Sequence, residues 1–313
     1  MALLTNAGHQ PVVTWFPHGF EFAPWLLKAA RPPSGTDIIH ANSWNAFAFA
    51  RAGCPLVTTV HHCIRGLGYP EWKSRAQMLY HEWWVSRLEE KSFVASSSIV
   101  AVSNSTASDM VRSFGISTRV INNWIDTEAF RPSDRYSAGR PSVLFVGNLS
   151  RRKGGDLLPA LRKNLDKNVE LHIVSGRRGS VSSLKAIGPN TKIWVRLTKE
   201  ELVRLYQECD VTVCLSRHEG FGYAVLEAMA CGRPVVAFDV AGIQDVVDPH
   251  VTGRLLPCED VIGVAEACCS LIDNPVLAQE MGQAGRYRAL ELFSTARATE
   301  DYEDLYRSVL AAS

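Results

Sequence analysis

Arg217-His218-Glu219-Gly220-Phe221-Gly222-Tyr223-Ala224-Val225-Leu226-Glu227-Ala228-Met229-Ala230-Cys231-Gly232-Arg233-Pro234-Val235-Val236 reads as a turn, a helix and a strand in immediate succession. Gly220-Phe221-Gly222 supplies the turn, residues 223–231 have helical periodicity, and Gly232-Arg233-Pro234 breaks the helix before a β-branched run. Glu219 precedes the helix and Glu227 lies more than two turns into it, ~8–10 Å away by helical rise. That is too far for one shared acid–base pair, but it suits a grip on two parts of an extended polar ligand. The amides of Gly220, Phe221 and Gly222, together with the positive end of the helix dipole, are predicted to take a phosphate or another anion. The stretch therefore predicts one strand–turn–helix unit of an α/β sheet, with a phosphorylated, hydroxyl-rich ligand at its turn.

Working outward, strand-like runs fall at 12–16, 37–41, 56–60, 98–102, 143–146, 169–174, 192–195, 211–215 and 235–238. Helical periodicity covers 80–94, 105–113, 156–165, 199–208, 223–231, 263–272, 276–290 and 299–310. Short strands alternating with amphipathic helices imply parallel sheets covered on both faces, the α/β class. A chain of 313 residues predicts two such domains, at ~150 residues per domain. The polar stretch 132–141 is the expected seam, giving domains over 1–137 and 138–295, with a helix over 296–313 that packs back on the first. Residues 1–8 read as the end of a helix. The strand and Gly-rich turn that usually open a doubly wound sheet are thus expected to be missing, either because the sequence is a truncated form or because the first domain has a reduced sheet. Two Rossmann-like halves predict a ligand cleft at the carboxyl ends of their strands.

A formal charge of +1 argues against a nucleic-acid partner, and 46% hydrophobic with 21% charged residues is the composition of a globular chain. Eight cysteines form no Cys-x-x-Cys pair and sit mostly in apolar runs, as reduced core residues do. No apolar stretch has the length to span a bilayer, and the N-terminus lacks a charged region followed by an apolar core. The expected location is the cytoplasm, with at most peripheral association at the inner membrane face. Two aromatic clusters, at 69–72 and 80–84, are expected to pack in a core or between domains rather than in a membrane.

Residues 143–293 carry a string of motifs in fixed order: Phe145-Val146-Gly147-Asn148-Leu149-Ser150-Arg151-Arg152-Lys153-Gly154, Cys209-Asp210-Val211, Ser216 to Gly222, Leu226 to Ala230, Gly232 to Val236, Gly242 and Gly253-Arg254-Leu255-Leu256. This half resembles the donor-binding domain of the retaining GT-B glycosyltransferases of family 4. The N-terminal half resembles the family more weakly, through Gly8 to Val13, Asp37 to Ala41, Thr59-Val60-His61, Val100 to Ser103 and Asn123 to Phe130. Trp124 and Asn148 depart from the pattern, standing where relatives carry Gly and Arg.

The resemblance implies retaining, metal-independent transfer of a sugar from a nucleoside diphosphate sugar, UDP being the favoured base, to an acceptor hydroxyl the sequence does not identify. A glycan, a lipid-linked intermediate and a small aglycone all fit as acceptors. No metal or other cofactor is expected, and the sequence holds no Asp-x-Asp metal motif in a suitable loop. Lys153 is implied to face the diphosphate, with Arg151 or Arg152 supplying the cation missing at Asn148. Glu227 is implied to accept from the ribose diol, and Glu219 to face the transferred sugar. Gly220, Phe221 and Gly222 would offer amides, and Arg196 would border the base. His61, rather than the adjacent His62, would face the donor sugar. Two rival readings are a non-catalytic nucleotide-sugar-binding partner, suggested by the missing first strand, and a nucleotide-sugar 2-epimerase.

Overall fold

The computed structural model describes residues 4–5, 8–16, 20, 23–66, 75–133, 139–176 and 187–313. The aromatic cluster at 69–72 and most of the helix end at 1–8 lie outside them. The chain forms two compact units, one of residues 1–123 with 295–313 and one of 124–294. Each holds a sheet whose described strands all pair in parallel, with helices in most of the connections, so the α/β class read from the sequence is the class observed.

In the first unit β1 (Ile39–Asn42), β2 (Leu56–Val60), β3 (Ser98–Ala101) and β4 (Arg119–Val120) lie side by side in chain order. Helix Ser86–Ala95 leads from β2 to β3, and helix Asn104–Phe114 from β3 to β4. The latter starts on Ser103, whose hydroxyl accepts the Thr106 amide, and stops at Gly115, left-handed at φ 65°. The strand expected at 12–16 does not form. These residues run without a sheet partner, and Val12, Val13 and Trp15 are exposed. A β-branched run becomes a strand only against a neighbour that takes its ladder, and β1 pairs with β2 alone among the described strands.

Residues 80–84 also differ from expectation. Helix Arg75–Tyr80 passes through one wide turn, His81–Val85, into Ser86–Ala95. The buried stripe is Val85, Leu88, Glu89, Ser92 and Phe93, at helical spacing, and Trp83 and Trp84 fall outside it and stay partly exposed. Trp84 meets Trp25 edge-on at 5.6 Å, and the Arg87 guanidinium lies over the Trp83 ring at 5.3 Å. Among the described residues no single helix is long and apolar enough to cross a membrane.

The second unit has six strands, β5 (Ser142–Val146), β6 (Glu170–Ser175), β7 (Thr191–Val195), β8 (Val211–Cys214), β9 (Val235–Phe238) and β10 (Gly253–Leu256). Their spatial order is β10-β9-β8-β5-β6-β7. Alternate residues feed opposite faces: Val143, Phe145, Val211 and Val213 enter one apolar cluster, Leu144 and Cys214 the other. Each fully buried side chain of this kind contributes about 1.5–3 kcal/mol, against ~0–1 kcal/mol for an exposed ion pair. The two cores, rather than the surface charges, hold this sheet. Helix Lys199–Glu208 opens on a capping box in which Thr198 accepts from the Glu201 amide and Glu201 from the Thr198 amide.

The order reverses at β5, whose neighbours are β6 on one side and β8 on the other. Loops leaving β5 and β8 therefore lie side by side at the carboxyl ends of the sheet, at the point of reversal where open α/β sheets receive ligands.

The units divide at Asn123, ahead of the seam expected at 132–141, because residues 125–131 are bound into the second unit. The Ile125 amide donates to Phe293 O at 2.9 Å, and Arg286 Nη1 donates to the carbonyls of Thr127 and Phe130, both at 2.9 Å. Gln207 Nε2 donates to Arg131 O at 2.7 Å. Residues 134–138 of the seam lie outside the described residues.

Helix Thr295–Ala311 belongs to the first unit, where Tyr302, Leu305 and Val309 pack on Val57, Val100 and Ile121. His40 ties it to the sheet: Nδ1 meets the Tyr306 hydroxyl at 2.7 Å and Nε2 the Thr59 hydroxyl at 2.6 Å. Loss of hydration here, with His61 nearby, lowers the His40 pKa to about 4. Between pH 6.5 and 4 the unfolded chain takes up a proton at His40 that the folded one refuses. This contribution to stability is complete above pH 6.5 and fades as pH falls toward 4, by less than full burial would give because part of the residue is open to solvent. Melting temperatures across that window should fall, with a shallower slope in His40→Gln. An unchanged slope would remove His40 from the account.

Candidate active site

The loop after β5 is Gly147 to Gly155 and the loop after β8 is Leu215 to Gly222. Arg151–Lys153 form a single tight turn that ends at Gly154, left-handed at φ 73°. A Cβ at Gly154 would overlap the Leu215 carbonyl, and one at Gly155 would lie 2.6 Å from Leu149 Cα. Two glycines thus let the β5 loop close on itself and against the β8 loop. The closure uses the turn's own amides. Lys153 N and Gly155 N donate to Ser150 O at 3.0 and 3.1 Å, and Gly154 N to Arg151 O at 3.0 Å. These amides are therefore spent inside the turn, and the donors that reach out of it to the β8 loop are side chains.

Those side chains converge on Glu219, which is only 9% exposed. Lys153 Nζ donates to Glu219 Oε1, and Ser216 Oγ donates to the same oxygen at 2.6 Å. Arg152 Nη1 donates to His218 O at 2.8 Å and lies 3.7 Å from Glu219 Oε2. A carboxylate this enclosed needs charged donors to offset its lost hydration, and here it has two. The structure so gathers the neighbours Arg152 and Lys153 with Glu219, 66 positions beyond Lys153, into one cluster at the switch point.

The turn that follows is held from below. Gly242 at φ 80° passes so close that a Cβ would lie 2.5 Å from Glu219 O, and a Cβ on Gly222, at φ 97°, would lie 2.6 Å from Ile243 Cδ1. The helix Tyr223–Ala230 that it opens has no side-chain cap. Phe221 is buried, its ring edge-on to Phe293 at 5.6 Å, so of this residue only the backbone can meet a ligand.

Glu227 lies on the same helix with Oε2 accepting from the Tyr206 hydroxyl at 2.7 Å. Burial raises its pKa, while that hydrogen bond opposes the rise. Tyr206 is fully enclosed, so its hydroxyl is committed to Glu227 and fixes which carboxylate oxygen remains for a ligand. Glu227→Ala should weaken nucleotide binding by about 1–3 kcal/mol, the cost of stranding buried polar partners. Titration calorimetry checks this; an unchanged dissociation constant would remove Glu227 from the ligand's contacts.

Arg196 is exposed just past β7 in a left-handed conformation at φ 57°. His61 belongs to the first unit, beyond the end of β2, with Nε2 3.2 Å from Asn42 Oδ1, and partial desolvation lowers its pKa. Sequence reasoning missed Tyr206 and Arg217. The one signal for Tyr206 was a hydroxyl within an apolar helical stripe, where it needs a buried partner. Among the described residues, no three His, Cys, Asp or Glu side chains are grouped to hold a metal ion.

Residues 140–274 match the family described as Glycosyl transferases group 1, and residues 7–129 match Glycosyltransferase Family 4. The alpha-maltose-1-phosphate synthase of Mycobacterium tuberculosis is 30% identical over 91% of this chain and 82% of its own length. Among solved structures, sucrose-phosphate synthase from Thermosynechococcus elongatus superposes with a TM-score of 0.78 at 24% identity, over 97% of this chain and 82% of the other. Anabaena Alr3699/HepE, solved with UDP and glucose, gives a TM-score of 0.76 at 21% identity, over 98% of this chain and 89% of the other. These likenesses carry the GT-B fold.

Proposed function

The chain belongs to the group 1, family 4 glycosyltransferases, and on that premise we propose that it moves a sugar from a nucleoside diphosphate sugar to an acceptor hydroxyl with retention of anomeric configuration and without a metal. The observation that carries the reading is the meeting of Lys153, Arg152 and Glu219 at the carboxyl ends of β5 and β8. Two cations on a glycine-shaped loop suit a departing diphosphate and would do the charge stabilisation that a metal does elsewhere. Glu219 would face the sugar and the positive charge that grows at its anomeric carbon. Glu227, its second oxygen oriented by Tyr206, would take the ribose diol.

In this mechanism the acceptor oxygen attacks the anomeric carbon from the face of the leaving group. The C1–O bond to the diphosphate breaks, and a diphosphate oxygen takes the acceptor's proton. Lys153 and Arg152 lower the energy of the diphosphate as its charge develops, which is where binding accelerates the step. Arg196 is assigned the base edge. His61 remains a candidate on its own setting, a histidine past a strand end with Asn42 as partner, and His61→Ala tests it directly. The UDP held by the Anabaena relative makes UDP the first base to try. Eight free cysteines support a reducing compartment, the cytoplasm.

A thermal-shift screen against UDP, GDP, ADP, dTDP and their sugar conjugates tests the donor, because a ligand of the folded state raises the melting temperature by mass action. Release of nucleotide from UDP-glucose, with water as acceptor, then reports turnover. The α anomer appearing first by proton NMR is the expected result, and a β anomer first would overturn retention. Turnover lost to EDTA and restored by Mn²⁺ would overturn the metal-free route.

A further inference from the structure

Arg217 lies two residues before Glu219 and is buried, its side chain 3% exposed, although it carries a full charge. Its side chain enters the base of the β5 loop. Nη1 and Nη2 form a two-pronged pair with Asp156, at 2.6 and 3.0 Å. Nε and Nη2 form a second pair with Glu259, the latter contact at 2.9 Å. Nη1 also donates to Arg151 O, and the Arg217 amide donates to Arg152 O at 2.9 Å. One guanidinium therefore joins three segments: the turn that bears Arg152 and Lys153, the strand-end loop that bears Glu219, and the loop ahead of helix Val261–Ile272. Both carboxylates are held below their ordinary pKa with Arg217 as a cause, and Arg217 is raised, first by its bond to Glu259.

The arrangement is more specific than a buried charge seeking any partner. A guanidinium has five donors in a rigid fork, and the carboxylates take two of its edges, Asp156 the Nη1–Nη2 end and Glu259 the Nε–Nη2 side. Asp156 and Glu259 are 43% and 53% exposed, so water could satisfy them without the arginine. Glu259 also sits in the left-handed region at φ 75°, a conformation a non-glycine residue keeps only when its surroundings hold it. The fixed element is thus the arginine between them, and backbone links from it fall on Arg151 and Arg152.

We infer that Arg217 is a positioning residue for the donor diphosphate: it locks the Arg152–Lys153 turn against the Glu219 loop, so that cations and carboxylate keep one geometry. This rests on the reading of Lys153 and Glu219 as donor contacts. A lysine cannot serve both carboxylates from one plane, so Arg217→Lys keeps the charge and loses the lock.

The test is a double-mutant cycle of Arg217→Lys and Lys153→Ala, with Glu259→Gln as a milder break in the same clamp. The probes are UDP, GDP, ADP and dTDP by calorimetry, and UDP-glucose for turnover. Arg217→Lys should weaken the nucleotide that binds the unaltered protein by about 10-fold and lower turnover on the order of 100-fold, as a loss of alignment does. In the Lys153→Ala background most of that loss should vanish, because the residue being positioned is gone, while the melting temperature falls equally in both backgrounds. Glu259→Gln should show the same pattern at smaller size. A lower melting temperature with unchanged nucleotide affinity, or losses that multiply in the double variant, would make Arg217 a structural residue only. If the unaltered protein bound none of the four nucleotides, the donor-site reading would fail and the clamp with it.

Discussion

Lys153→Ala is expected to lower nucleotide release from UDP-glucose by about 10²–10³-fold, the loss that follows removal of one charge-stabilising donor. The melting temperature should fall by no more than ~2–4 °C, the equivalent of about 1 kcal/mol in a chain of this size. The reasoning turns on which groups each contact leaves behind. Lys153 is one of three partners of Glu219, and Ser216 and Arg152 remain when it goes, so the carboxylate is not stranded. Its amide takes part in closing the turn through Ser150, and alanine preserves that bond. The proposed role falls on the side chain because its ammonium reaches Glu219 directly. Lys153→Arg should recover part of the rate, since charge and length survive while the point-like ammonium does not. Turnover at the wild-type level in Lys153→Ala would shift the diphosphate role to Arg151 or Arg152.

Much of the fold was legible where its local signals agree. Thr198 and Glu201 are a capping box three residues apart, and helix Lys199–Glu208 begins where they predict. The runs at 56–60 and 235–238 are continuous, apolar and β-branched, and become β2 and β9 without change. Elements without such agreement were missed. β10 opens on Gly253 and Arg254, β4 is two residues long, and Ile243–Val246 is barely one helical turn. The 12–16 run had the right residue types but no neighbouring strand, a condition periodicity cannot register.

The site divides in the same way. Glu219, Glu227 and Lys153 stand in local motifs, so their residue types and neighbours announced them. Tyr206 and Arg217 earn their roles only through partners distant in the chain: Tyr206 through Glu227, Arg217 through Asp156 and Glu259. The occupied amides beside Lys153 follow from a turn too tight to infer from Lys-Gly-Gly alone. Nothing in the composition of residues 124–131 marks them as part of the second unit. Arg286, on a helix near the end of that unit, binds their carbonyls and sets the division.

The second large effect separates binding from reaction at Glu219. Glu219→Gln keeps the shape of the side chain, and its amide oxygen can still accept from Ser216 Oγ. What it removes is a negative charge lying against Lys153 and 3.7 Å from Arg152. Opposite charges about 4 Å apart interact by up to ~4 kcal/mol near a protein surface, so neutralising the carboxylate leaves both cations more attractive to an anion. UDP should therefore bind about 3–10-fold more tightly to Glu219→Gln, a modest share of that interaction because salt and water screen the rest. Turnover of UDP-glucose should nevertheless drop on the order of 100-fold, because the charge proposed to face the forming cation at the anomeric carbon is gone. A residue that merely shaped the loop would lose affinity and rate together. Calorimetry with UDP and initial rates with UDP-glucose on the same preparation distinguish the two cases: tighter binding with slower release places Glu219 at the reacting sugar, whereas weaker binding in step with rate reduces it to a support for Lys153.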